Sequence, residues 1–209
     1  MRAMRSSSSS LLLLVVCIAT VCSRVSLVEA GDTPSLGPGF SGTMVKRVDG
    51  KTYHAQVFGK EDRLRLEYTY AVRTEIGFSA IEIIRFDTSE RWYLLPQQKY
   101  ILVLPLTADT LPIRAELAGE VKRTAIGDAA VAGRAARLYD VQVQRNGLSE
   151  RFYEWVDVEV GVVLKLVSQD RDWSFEYERL RISAQPSVYF EEPPGYRKRP
   201  SETIPKPGN

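Results

Sequence analysis

The sequence predicts a mainly β protein: a single curled antiparallel sheet of about eleven strands, with one or two short helices. Three observations predict it. Apolar residues recur with a period near two from Phe40 onward, Asp-Gly and Asn-Gly pairs punctuate those runs, and several runs are apolar on both faces. The chain has 209 residues, is 44% hydrophobic and 26% charged, and carries a formal net charge of +2. That balance excludes collagen-like, coiled-coil and wholly disordered chains. It also argues against a nucleic-acid partner, which clustered Lys and Arg would announce.

Residues 1–30 read as a secretory signal peptide. Arg2 and Arg5 precede a serine run and the apolar stretch Leu11 to Cys22, too short for the roughly 20 residues of a membrane-spanning helix. Val28 and Ala30 occupy the −3 and −1 positions of a cleavage site, which places the mature protein in the periplasm with no transmembrane segment. Cleavage there removes both cysteines, Cys17 and Cys22, and with them any disulfide or thiol chemistry. It also removes three basic residues and one acidic one, leaving a mature chain of zero net charge.

Residues 31–39 form a Gly/Pro-rich lead-in. The strands are then expected at 40–48, 51–59, 62–71, 78–86, 90–95, 99–104, 120–126, 136–145, 149–157, 162–168 and 172–183. In 62–71, Leu64, Leu66, Tyr68 and Tyr70 share one face and Arg63, Arg65 and Glu67 the other, the pattern of a half-buried strand. Asp49-Gly50 and Asn146-Gly147 are two-residue hairpin signals. Gly127-Asp128 and Ala132-Gly133 mark loops. In the last strand Trp173, Phe175 and Tyr177 alternate in phase, but Leu180 and Ile182 are out of phase with them. The parity changes near Glu178-Arg179, as a bulge would cause.

The runs at 81–86, 91–95 and 100–104 show no clean alternation, so both of their faces need cover. Thr107 to Leu117 reads as the helix, capped by Asp109 or Thr110, with Pro112 in its first turn and Gly119 as its stop. Residues 191–209 are rich in proline and read as a flexible tail, leaving 40–190 as the β domain.

No catalytic or metal-binding set emerges, and no cofactor is implied. His54 is the single histidine, on the polar face of a strand, with no G-x-S-x-G elbow and no cysteine to complete a zinc site. Asp170-Arg171-Asp172 reads as a turn. The carboxylate pairs Glu154 with Glu159 and Glu176 with Glu178 read as mixed charge on exposed faces. The aromatics are more informative, because large rings on a curled sheet suit the lining of an apolar groove. The groove-lining candidates are Leu64, Leu66, Tyr68, Tyr70, Ile81, Ile83, Trp92, Leu94, Tyr153 and Trp155, with the facing of the mid-sheet strands left open by the pattern.

Several segments in order carry a family likeness: Phe40-Ser41-Gly42-Thr43-Met44, Arg63-Leu64-Arg65-Leu66-Glu67, Arg91-Trp92-Tyr93-Leu94-Leu95-Pro96, Gly133-Arg134-Ala135-Ala136-Arg137-Leu138-Tyr139, Trp155-Val156-Asp157 and Phe190-Glu191-Glu192-Pro193-Pro194-Gly195-Tyr196. Over roughly residues 40–196 the chain resembles the periplasmic outer-membrane lipoprotein carrier (LolA/LolB-like) superfamily, in its lipoprotein-sorting-like branch. The resemblance implies an unclosed β-barrel of about eleven antiparallel strands, a non-enzymatic half-barrel that holds a lipid or a lipoprotein acyl chain on its apolar concave face. The alternative on the same fold is an envelope-stress sensor with an envelope protein partner and no bound lipid. The carriers place an amphipathic helix before the first strand. Here residues 31–39 hold two prolines and three glycines, which do not make one.

Overall fold

A computed structural model describes residues 39–107, 110–145, 147–169 and 173–201. The signal peptide and all of the lead-in except Gly39 lie outside the described residues, as do Asn146, the turn at 170–172 and the tail beyond Ser201.

Twelve strands form one open sheet. In chain order they are β1 (Phe40–Val48), β2 (Lys51–Lys60), β3 (Arg63–Thr74), β4 (Gly77–Arg85), β5 (Glu90–Leu95), β6 (Tyr100–Pro105), β7 (Glu120–Val131), β8 (Arg134–Arg145), β9 (Leu148–Asp157), β10 (Val163–Ser168), β11 (Trp173–Ile182) and β12 (Arg197–Pro200). Their spatial order is β12-β6-β5-β4-β3-β2-β1-β11-β10-β9-β8-β7. Every neighbouring pair is antiparallel except β12 with β6. The β1–β11 pairing joins the two ends of a meander, so hairpins account for nearly all of the topology.

The turn chemistry is as expected at its clearest point. Asp49 and Gly50 adopt φ of 49° and 73°, the double left-handed geometry of a type I′ turn that matches strand twist. Ala132-Gly133 makes the same turn between β7 and β8, at 53° and 73°. The bulge in β11 is also present: Thr43 pairs with Arg179 and Met44 with Tyr177, so Glu178 is the extra residue. Gly127-Asp128 is not a loop. It lies inside β7 just after a second bulge, where Ala125 pairs with Tyr139 and Gly127 with Leu138, leaving Ile126 extra.

One face of the sheet, the inner one, carries the main core. Phe40, Met44, Val57, Leu64, Phe152 and Tyr177 all belong to it and are buried. The outer face of β4–β6 carries a second, separate cluster of Ile83, Trp92, Leu94 and Ile101. The two-sided apolar runs are therefore covered on both sides, as their pattern requires.

Two expectations are corrected. Residues 107–117 are not helical among the described residues. Leu111, Ile113 and Leu117 are all buried in the core, and Arg114 makes an isolated antiparallel bridge to Val162. A helix would turn Leu111 and Ile113 to nearly opposite sides, whereas an extended chain points both inward. The segment expected as a flexible tail is ordered through Ser201. A 3₁₀ turn at Ser187–Phe190 docks on the outer face of β2 and β3, and β12 then adds to the edge of β6. Tyr189 packs edge-on against Phe58 at 5.3 Å, Lys60 Nζ donates to Ser187 Oγ at 2.7 Å, and Arg65 Nη1 donates to the Tyr189 carbonyl at 3.1 Å. Further on, Tyr196 packs on the outer cluster and Lys198 Nζ lies 4.1 Å over the Trp92 ring. This strap covers the outer apolar surface.

Candidate functional site

The inner face does not pack shut everywhere. A cleft of about 1070 Å³ opens between the sheet and the segment 110–118 that crosses it, with Leu106 and Thr107 also on its wall. Its apolar wall includes Phe86, Leu106, Ile113, Phe152, Leu166 and Trp173. A smaller cavity of about 580 Å³ lies on the other side of the same segment, against Val156, Val160 and Gly161.

The crossing segment is held by its carbonyls rather than by helical hydrogen bonds. The Val163 amide donates to the Ile113 carbonyl at 3.2 Å, and the Gln144 amide donates to the Gly119 carbonyl at 2.8 Å. Arg145 Nε donates to the Ala118 carbonyl at 2.8 Å. Arg123 is the hub of this anchorage. It donates through Nε and Nη2 to Glu120 at 2.8 and 2.7 Å, through Nη2 to the Ala115 carbonyl, and through Nη1 to Glu154. Its guanidinium also lies 5.0 Å from the Tyr139 ring centroid.

Glu154 was expected on an exposed face and is instead fully buried. It shares the inner face of β9 with Phe152, two residues away, and its second carboxylate oxygen is buried without a hydrogen-bond partner. Burial pushes its pKa up to about 7 against the opposing pull of Arg123. A second buried polar group lies further along the inner face. Tyr68 Oη donates to Glu82 Oε2 at 2.6 Å, and burial, then the Glu82 charge, raise the Tyr68 pKa well above its ordinary value.

Trp173 lines the cleft with its ring, and its indole N–H is buried without a hydrogen-bond partner. The ring stands edge-on to Phe152 and Phe175 at 6.3 and 6.1 Å. A buried donor without a partner is costly. Among the described residues no group of His, Cys, Asp and Glu is placed to hold a metal ion, and no helix is long and apolar enough to cross a membrane.

The ten groove candidates do not share one surface. Leu64, Leu66 and Tyr68 lie on the inner face, Tyr68 through its pairing with Ala55. Ile81, Ile83, Trp92 and Leu94 lie on the outer face, because Ile83 pairs with Arg65 and Trp92, and Ile81 with Glu67 and Leu94. Tyr153 and Trp155 also face outward, opposite the parity of Phe152 and Glu154; Lys165 Nζ lies 5.0 Å from the Trp155 ring centroid. Tyr70 is 82% exposed, inside the irregularity where β3 loses its pairing with β4 between Glu67 and Val72. None of the ten lines the cleft. Phe152, Leu166 and Trp173 were legible as strand residues, but the cleft's other wall hid inside a segment read as helix.

No protein-family model matches the chain, and no curated protein matches it. Among solved structures, MucB superposes with a TM-score of 0.51 at 18% identity, over 77% of this chain and 59% of MucB. The complex structure of Pseudomonas aeruginosa MucA/MucB gives a TM-score of 0.47 at 19% identity, over 73% and 55%. A domain from Vibrio parahaemolyticus described as an outer membrane lipoprotein-sorting protein gives 0.37 at 10%, over 74% and 91%. The likeness to MucB is one of fold. The chain spans about 59% of the length of MucB. The expected architecture, an open and almost entirely antiparallel sheet, holds.

Proposed function

We propose that the protein is an exported, periplasmic binding protein, not an enzyme, and that it holds an acyl chain in the inner-face cleft. The observation that carries this reading is the cleft itself: about 1070 Å³ of space along an apolar wall, just above the roughly 300–1,000 Å³ usual for small-molecule sites. The signal peptide read from residues 1–30 supplies the export, and the LolA-like fold fits a carrier or binding role.

A second reading, a protein-interaction domain, draws support from β7. This twelve-residue edge strand has one neighbour and exposes Val121 at 61% and Ile126 at 50%. An unpaired edge of that kind accepts an added strand.

Leu106 is half-buried on the cleft wall, so Leu106→Asp places a carboxylate in the cleft without cutting into the core. Binding of a fluorescent fatty acid is expected to weaken at least about tenfold in that variant, with the circular dichroism spectrum unchanged. Val188→Asp, on the exposed strap, is expected to bind normally. Wild-type protein that binds no acyl probe would reject the acyl-chain reading and leave the β7 edge as the better lead.

A further inference from the structure

The mouth of the cleft is charged, and its charge is unbalanced. Among the described residues, Asp49, Asp62, Glu116 and Glu150 line it against only Arg114 and Arg145. Each arginine is engaged. Arg114 Nη2 lies 3.0 Å from Asp62 Oδ1, and Arg145 Nη1 lies 4.0 Å from Glu150 Oε2 while its Nε holds the Ala118 carbonyl. Asp49 and Glu116 have no ion-pair partner among the described residues, and both are exposed. Lys46 brings one more cation to the wall, 5.9 Å from the Trp173 ring centroid. Counted with it, the lining remains net negative.

Two unpaired carboxylates beside an apolar hollow repel an anion and attract a cation at the point where a bound amphiphile leaves the protein. The apolar wall of Phe86, Ile113, Phe152 and Leu166 does not distinguish charge, so the rim decides the preference. Resting on the reading of the cleft as an acyl-chain site, we infer that it selects acyl chains whose polar end is cationic over those ending in a carboxylate, with Asp49 and Glu116 as the selecting residues. The ligand class is an acyl ester or amide carrying an ammonium group, and free fatty acids and other anionic lipids are the disfavoured class.

The test is displacement of Nile red, a neutral apolar dye, by lauroylcholine and by laurate, which share one acyl chain and differ in charge. Lauroylcholine is expected to displace the dye at about three- to fivefold lower concentration, the scale of two exposed charges acting on a third. Raising salt from about 0.1 M to about 1 M shortens the screening length and should bring the ratio toward one. The double variant Asp49→Asn, Glu116→Gln should do the same at low salt; Asn keeps the left-handed conformation that Asp49 adopts in its turn, at φ 49°. Equal displacement by the two ligands, or a preference for laurate, overturns the charge selection while leaving the cleft reading intact. So does a double variant, folded by circular dichroism, that keeps the wild-type ratio. Failure of Nile red to bind wild-type protein overturns both.

Discussion

The ring of Phe40 lies in the space that a side chain at Gly59 would occupy. The two residues are paired across β1 and β2, and a Cβ built on Gly59 would come within 2.2 Å of Phe40 Cε1. Phe40 is fully buried and stands edge-on to Tyr177 at 5.8 Å, so the ring cannot step aside cheaply. The absent side chain of one strand is the seat of the first core aromatic of its neighbour, and it fixes where the inner face begins.

Gly59→Ala is therefore expected to destabilise the protein by roughly 1–3 kcal/mol, the usual range for overpacking a tight site. The double variant Phe40→Leu, Gly59→Ala should cost less than the sum of the single changes, since the smaller side chain vacates the contested volume. Chemical denaturation of the four proteins of this cycle measures the coupling. Strict additivity would show that the ring moves freely.

Acid should weaken the turn after β4. The Arg85 guanidinium donates to both carboxylate oxygens of Asp87 at 2.8 and 2.7 Å, and Arg63 reaches Oδ2 at 3.2 Å. The Arg85 hydrogen bonds, aided by both arginine charges, hold the Asp87 pKa at about 2. A depressed carboxylate stabilises the fold above its unfolded pKa near 4 and loses that contribution as pH falls through about 2. Asp87→Asn should flatten this part of the melting-temperature profile while leaving its neutral region less affected. A profile with the wild-type slope below pH 4 would rule the pair out as a source of acid sensitivity.

Glu154 should act in the opposite sense. Its folded pKa is raised to about 7 from an unfolded value near 4.5. The folded state then holds more protons than the unfolded one between those values, so stability falls as pH rises through that window. Glu154→Gln keeps the shape and removes the titration, and should erase the decline between about pH 4.5 and 7. Thermal melts at several pH values test it. An unchanged decline would assign it to other groups.

The legible parts of this molecule are those where local chemistry and global fold agree. Asp49-Gly50 demanded a type I′ turn and makes one, and the broken alternation from Tyr177 to Leu180 located the bulge at Glu178. The illegible parts depend on partners far along the chain. Glu154 alternates between Phe152 and Val156 as a buried residue would, but its charge argued for solvent, and the arginine that accompanies it inside is 31 residues away. Capping and stop signals around 107–117 outweighed the two-residue spacing of Leu111 and Ile113, although the core on the inner face is what captures both side chains. Arg197-Lys198-Arg199-Pro200 has no apolar alternation, because β12 contributes backbone pairing and the Lys198 contact with Trp92 rather than an apolar face. The groove candidates divided between two surfaces for a related reason. Strands apolar on both faces give no parity, so only the register with Arg65 and Glu67 places Ile81 and Ile83 outside.

The strap is the last structural claim open to measurement. Without residues 191–209, Trp92, Ile83, Leu94 and Ile101 would lose the cover of Tyr196 and Lys198, and β6 would become a bare edge. Arg197, Lys198 and Arg199 are exposed, and Pro200 ends the strand, so β12 closes that side of the sheet with charge and a residue that cannot donate to a further strand. Chain ending at Phe190 is expected to lose stability on the order of 2 kcal/mol from the uncovered side chains, and to associate through the bared β6 edge and its apolar neighbours. Equilibrium denaturation gives the first quantity and light scattering across a concentration series the second. Tyr196→Ala separates the two effects, because it removes apolar cover while leaving β12 paired. It should cost part of the stability yet stay monomeric at concentrations where the truncated chain associates. A truncated chain as stable and as monodisperse as the full one would show that the strap only rests on the sheet.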